Sequence, residues 1–206
     1  MDRIRRATAQ VRNVALDIRY CGRPLRDLRS TSGISDSAFA PHSADYQTLR
    51  QILRKFPINQ DDVFTDVGCG HGRVLIEAAR QSPGAQVVGV EIDPRVAATA
   101  HAVSRRYPNI TVIDGAAPEA MPAETTYAFM FNPFPGSVVL DVLAKLARQP
   151  RGFRRRQAVL VRPTDLELIC DSPLARDVFT TRHYVLQGVR LMKGRDLDIL
   201  HFQLPA

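Results

Sequence analysis

The segment Val63-Phe64-Thr65-Asp66-Val67-Gly68-Cys69-Gly70-His71-Gly72-Arg73 sets three glycines on alternate positions, directly after a β-rich run and directly before a helix-forming one. A strand that turns through such a loop into a helix opens a βαβ unit, whose crossover is right-handed and whose strands lie parallel. Glycines at that turn permit positive φ and let the backbone come close to a ligand. The alternation then continues downstream. Val63–Val67, Gln86–Glu91, Ile110–Asp114, Tyr127–Asn132 and Ala158–Arg162 read as five buried strands, with helices predicted near Arg73–Gln81, Pro94–Tyr107 and Ser137–Arg148. Two further apolar runs, about Val178–Leu186 and Asp196–Leu204, flank a polar turn at Lys193–Arg195 and predict an antiparallel hairpin on the sheet edge. The pattern implies a doubly wound α/β domain with a mostly parallel seven-stranded sheet.

Residues 1–56 differ in character and read as a helical extension preceding the domain at 57–206. Ile4, Val11, Ala15 and Ile18 recur at helical spacing, and residues 21–44 carry Gly, Pro and Ser without a period. A second helix is predicted through about Lys55, capped by Ser43 or Asp45 and stopped by Pro57. The net charge of +7 is concentrated here: residues 1–56 carry +6 and residues 57–206 only +1. A basic extension makes contact with nucleic acid or a phosphorylated partner one expectation, beside a plain solvated arginine face. No apolar run approaches the roughly 18 residues needed to cross a bilayer, so no membrane partner is expected. The N-terminus lacks the continuous apolar stretch of a secretory signal, and Cys21, Cys69 and Cys170 are too scattered for a disulfide framework or a zinc site, which points to the cytoplasm.

The glycine loop constrains its ligand. A dinucleotide site wants G-x-G-x-x-G with the pyrophosphate on the helix N-terminus. Here the third glycine comes one residue early and Arg73 fills the expected slot. Asp66 also stands immediately before the loop, where a carboxylate repels a pyrophosphate and attracts an ammonium or a sulfonium. The expected ligand is therefore cationic.

With the form acidic-x-Gly-x-Gly-x-Gly, Asp66–Gly72 resembles the first motif of the class I S-adenosylmethionine-dependent methyltransferases, which have a Rossmann-like fold. The resemblance runs over about Asp61–Arg162. It implies S-adenosyl-L-methionine as cofactor, with Asp66 and the loop Gly68, Cys69, Gly70 and Gly72 on its methionine part. In Val88-Gly89-Val90-Glu91-Ile92-Asp93-Pro94, an acid ends the second strand 25 residues after Asp66. A carboxylate there can accept both ribose hydroxyls, so Glu91 is the expected ribose ligand, Ile92 packs on adenine by the resemblance, and Asp93 with Pro94 caps the next helix. Asp114, with Gly115 and Ala116, stands where the family holds the adenine amino group and ring.

The fourth strand delivers Phe131-Asn132-Pro133-Phe134-Pro135-Gly136. This resembles the Asn/Asp-Pro-Pro-aromatic tetrapeptide of amino-group methyltransferases, but Phe134 and Pro135 are exchanged relative to it. Asn132 is expected to act at the transfer centre and on the cofactor, with Pro133 and Phe134 lining the acceptor pocket. His71 in the loop and His42 in the extension are candidate bases for an oxygen acceptor, whose proton must leave. The extension is expected to close over the cofactor as a lid, with His42 and Tyr46 facing the acceptor. Asp165 follows the fifth strand where catechol-type methyltransferases hold a metal, but Asn132 stands where such a site needs an acid, so no metal is expected. The arginines Arg151, Arg154, Arg155 and Arg156 should lie at the sheet edge remote from the cofactor. The resulting expectation is methyl transfer to N or O of an acceptor, a small molecule in the first instance and RNA or protein in the second. A non-catalytic cofactor- or RNA-binding domain and an aminopropyl-transfer or hydrolase variant of the fold are the alternatives.

Overall fold

The computed structural model describes residues 2–25, 44–131, 134–148, 156–186 and 196–205, with side chains from Thr8 onward. Five strands run β1 (Val63–Val67), β2 (Gln86–Glu91), β3 (Ile110–Asp114), β4 (Tyr127–Phe131) and β5 (Gln157–Val161), followed by β6 (Thr180–Leu186) and β7 (Leu197–Gln203). They form one sheet in the order β3-β2-β1-β4-β5-β7-β6. β1 to β5 are parallel, and β7 pairs antiparallel with both β5 and β6. The chain order reverses beside β1, so the carboxyl ends of β1 and β4 flank the crevice where ligands of such sheets bind.

Strand chemistry explains why the sheet is covered on both sides. Along β4, Tyr127 and Phe129 join one core layer while Ala128 and Met130 join the other. The near-continuous apolar runs of β4 and β5 are those of strands buried on both faces. On the first face lie Leu75, Ala78 and Ala79 of α3 (Arg73–Gln81), with Leu49, Ile52 and Leu53 of α2 (Tyr46–Lys55) and the adjoining Phe56. On the second lie Val139, Val142, Leu143 and Leu146 of α5 (Gly136–Arg148). β3 sits at the edge and is the least buried of the parallel strands. Capping follows side-chain chemistry. The Asp45 carboxylate accepts the Gln47 and Thr48 N–H groups at the start of α2, and Asp93 accepts the Arg95 N–H ahead of α4 (Pro94–Ser104).

α2 and the adjoining Phe56 together supply four large side chains to the main core, so this part of the helical extension packs against the domain that follows it. One sequence expectation changes here: the apolar repeat of α1 (Asp2–Cys21) marks its outer side, where Val11, Ala15 and Ile18 are exposed, while Asn13, Asp17, Tyr20 and Cys21 face the body. Two short elements were not expected, α6 (Leu166–Cys170) and a π-helical turn at Leu174–Val178. Among the described residues no helix is long and apolar enough to cross a membrane.

Arg156 stands directly before β5, at the amino-terminal edge of the sheet and away from the glycine loop, as expected of the arginine run, but it is not solvated. It is buried, and its Nη1 donates to the carbonyl of Leu146 at 2.9 Å, satisfying the carboxyl end of α5. Arg151, Arg154 and Arg155 lie outside the described residues. Arg156→Ser should therefore lower stability by about 1–3 kcal/mol, the penalty for a buried acceptor left unmatched, read as a drop in Tm. An unchanged Tm would show that the contact with Leu146 contributes nothing to stability.

Candidate functional site

The glycine loop is anchored by the strand beside it. The N–H groups of Gly68 and Cys69 both donate to the carbonyl of Val90, at 2.8 and 2.9 Å, and the Gly70 N–H donates to Glu91 Oε2 at 2.9 Å. Loop and β2 end thus form one hydrogen-bonded body. Gly68 is required twice over: its φ is 76°, and a Cβ would stand 2.9 Å from Cζ of Phe134. The Phe134 ring therefore lies directly over the loop, and the exit of β4 closes against the exit of β1.

Three carboxylates converge on this edge, in different states. Asp66 is 2% exposed, and its Oδ2 has no hydrogen-bond partner among the described residues. Burial holds its carboxyl well above the ordinary range, and the charge of Glu91 pushes it further. Glu91 is raised as well, chiefly by burial, although the N–H groups of Asp93 and Gly70 on its two oxygens oppose this. Burying two acids side by side with an unmatched oxygen is costly unless a donor or a cation completes them. The residues present thus fit a cationic ligand with hydrogen-bonding groups, and they disfavour a phosphate.

The third acid, Asp114, is exposed at the end of β3, in register with Glu91. Its Oδ1 meets His101 Nε2 of α4 at 2.7 Å, a partner that the sequence did not suggest for either residue. Gly115 donates to the carbonyl of Glu91 at 2.9 Å, tying this turn to the same body, and Ala116 is exposed beside it. Ile92 is half-buried just past Glu91. Cys69 contributes its backbone rather than its thiol, since burial holds the Sγ–H well above its ordinary pKa. A Cβ on Gly89 would stand 2.8 Å from that sulfur.

The base and acceptor candidates fare differently. His71 is 3% exposed, enclosed within the loop rather than open to solvent. Tyr46 does not face an acceptor: it is 0% exposed and its hydroxyl donates to Asp17 Oδ1 at 3.0 Å, inside the layer between α1 and α3. Asn132, Pro133 and His42 lie outside the described residues. Asp165 accepts the Gly136 N–H at 2.5 Å, which holds the start of α5 at the β4 exit. No group of three or more metal-ligating side chains occurs among the described residues.

Comparison with known proteins agrees with this geometry. Residues 64–149 match the family model of a methyltransferase domain. A protein-lysine N-methyltransferase of Saccharolobus islandicus (strain REY15A) is 35% identical over 60 residues, which is 27% of this chain and only 37% of that protein. Among solved structures, precorrin-6y C5,15-methyltransferase from Geobacter metallireducens GS-15 superposes with a TM-score of 0.63 at 16% identity, covering 82% of this chain and 94% of that one. An RNA methyltransferase from Salinibacter ruber, in complex with S-adenosyl-L-homocysteine, gives 0.58 at 22% identity, covering 80% and 94%. Identities this low speak for the fold, and the matched domain spans the glycine loop, both buried acids and the β4 exit. With that sheet order, that loop and that domain match, residues 64–149 carry a methyltransferase domain, on a fold shared with solved methyltransferases.

Proposed function

We propose that this protein transfers a methyl group from S-adenosylmethionine to a nitrogen or oxygen of a small-molecule acceptor. The observation that carries the reading is the buried, unmatched Oδ2 of Asp66 beside Glu91 at the mouth of the glycine loop. Asp66 would take the cationic methionine end, Glu91 the ribose hydroxyls, and Asp114 the adenine amino group. When bound, the cofactor supplies an electrophilic methyl on a sulfonium. The chain's contribution is then alignment and exclusion of water. Phe134 over Gly68 forms an apolar wall at the β4 exit, and Asn132 would accept the acceptor's N–H or O–H beside it. Residues 68–72 make a short connection between β1 and α3, which suits a pocket for a small acceptor better than a broad docking surface.

One observation favours a second reading, methylation of RNA. α1 and α2 enclose a cleft of about 270 Å³ lined by Arg12, Leu16, Gln47, Arg50, Gln51 and Arg54. Arg50 is held by Glu77 at 2.8 Å, while Arg12 stands 3.8 Å from Asp45. Arginines gathered in this way suit phosphate oxygens.

The deciding experiment incubates the protein and methyl-labelled cofactor with small-molecule, RNA and protein fractions of the native cell. Label in the small-molecule fraction is the expected result. Label in RNA, lost on replacing Arg12 and Arg54 with Ser, would establish the second reading instead. Calorimetry should show micromolar binding of S-adenosylmethionine and S-adenosylhomocysteine, about −8 kcal/mol, and none of NAD. NAD binding would remove both readings.

A further inference from the structure

α3 begins without a side-chain cap. Its N-cap is Gly72, in the left-handed region at φ 89°, with no side-chain hydrogen bond to the first turn. A helix start of this kind is held only by what its first residues touch. The first residue, Arg73, is buried and reaches away from the loop. Its Nε and Nη2 donate to Asp17 Oδ1 and Oδ2 at 3.1 and 2.8 Å, and its Nη1 donates to the carbonyl of Ala44 at 3.0 Å.

Asp17, wholly buried on the inner side of α1, is equally committed. Besides the guanidinium it accepts the Leu25 N–H at 3.1 Å and the Tyr46 hydroxyl at 3.0 Å. A buried ion pair adds little net stability over an apolar pair of the same shape, but it penalises every arrangement that separates its members. Its effect is therefore geometric. The pair joins α1 to the residue directly behind the glycine loop, and the loop's Gly70 N–H is what meets Glu91. Leu25 and Ala44, the described residues that flank the segment 26–43, hang from the same two side chains.

We propose that Asp17 is a positioning residue for the cofactor loop. Through Arg73 it fixes where Gly68–Gly72 lie against Glu91, so docking of α1 and occupation of the loop stabilise each other. This rests on the reading of the loop as the S-adenosylmethionine site. Linkage requires the effect in both directions. In the wild-type protein S-adenosylhomocysteine should slow amide exchange across residues 13–21 of α1, which lie outside the proposed cofactor contacts.

In Asp17→Asn the affinity for S-adenosylhomocysteine should fall about tenfold, within the usual range of coupling between sites, and α1 exchange should no longer respond to the ligand. Tyr46→Phe, which leaves the ion pair intact, should retain affinity and response. Should Asp17→Asn fail to fold, Arg73→Lys keeps the charge and loses the two-pronged contact. It should weaken binding in the same direction and less far. Unchanged affinity in either folded variant, or α1 exchange indifferent to the ligand in a wild-type protein that binds it, would overturn the proposal while leaving the cofactor reading intact. A wild-type protein that does not bind S-adenosylhomocysteine would instead overturn the cofactor reading and the coupling with it.

Discussion

Asp66→Asn should lower cofactor affinity by about 100-fold, the upper end for a charge-assisted hydrogen bond in a buried site, and should raise the Tm of the ligand-free protein. Both effects have one cause. The Asp66 carboxyl is buried with an unmatched oxygen beside Glu91, and its pKa is pushed well above the usual carboxylate range. Below the ordinary pKa the group is protonated in folded and unfolded chains alike, and its contribution is neutral. As pH rises past that value, the unfolded chain ionises while the folded one retains its proton, so stability declines until the folded pKa is passed. Asparagine abolishes that decline and keeps the shape. A cationic ligand reverses the balance by favouring the carboxylate, so binding should release protons and affinity should rise with pH over the same interval. Calorimetry in buffers of different ionisation heat reads the protons directly. A variant with lowered Tm and unaltered cofactor affinity would show that Asp66 is a structural acid.

Asn132→Ala should reduce turnover by about 10²-fold while cofactor affinity changes far less. β4 pairs with β1 in register, Asp66 opposite Phe129, so the carboxyl end of β4 lies beside the start of the glycine loop. Phe134 meets Gly68 from the same exit, and Asp165 fixes the start of α5 behind it. An acceptor atom held there would stand against the loop, where misplacement by about 1 Å can account for such a loss. Single-turnover kinetics with an identified acceptor, together with calorimetry of cofactor binding, separate the two effects. Joint loss of cofactor and turnover would make Asn132 a cofactor ligand; no change in either would leave the segment as a strand exit only.

The parts of the molecule that sequence predicted well are those in which neighbours along the chain decide the structure. β1, β2 and β3 have the predicted bounds, because a β-rich run that ends at a glycine or an acid is a signal carried by neighbours along the chain. Asp93-Pro94 states a helix start in its own chemistry, and DVGCGHG states a backbone that must approach something. The buried ion pair of Asp17 and Arg73 had no such local signature, since its members are 56 residues apart. The one available hint was an arginine in the slot where a further glycine was expected, next to a helix whose inward side carries an acid. The outward apolar side of α1 misleads for the opposite reason, as periodicity reveals a helix without saying which side is covered. Arg156 and the pair His101–Asp114 belong to the same class of distant pairings. Tyr46 reads as a polar group near a ligand, but its hydroxyl is taken by Asp17, a partner only the fold brings near.

The order β5-β7-β6 has a consequence for how the chain reaches its native state. β6 is synthesised before β7, yet all of its ladder partners are in β7, which lies between it and β5. β6 therefore cannot join the growing sheet on arrival. Until β7 docks, β5 keeps an open edge lined by Ala158, Val159, Leu160 and Val161, all of them fully buried in the finished sheet. An apolar strand with unpaired N–H and C=O groups is the kind of surface on which chains associate wrongly. The open edge of β5 persists until β7 is in place, so substitutions that slow the docking of β7 should reduce the yield of folded protein more than they reduce its stability once folded.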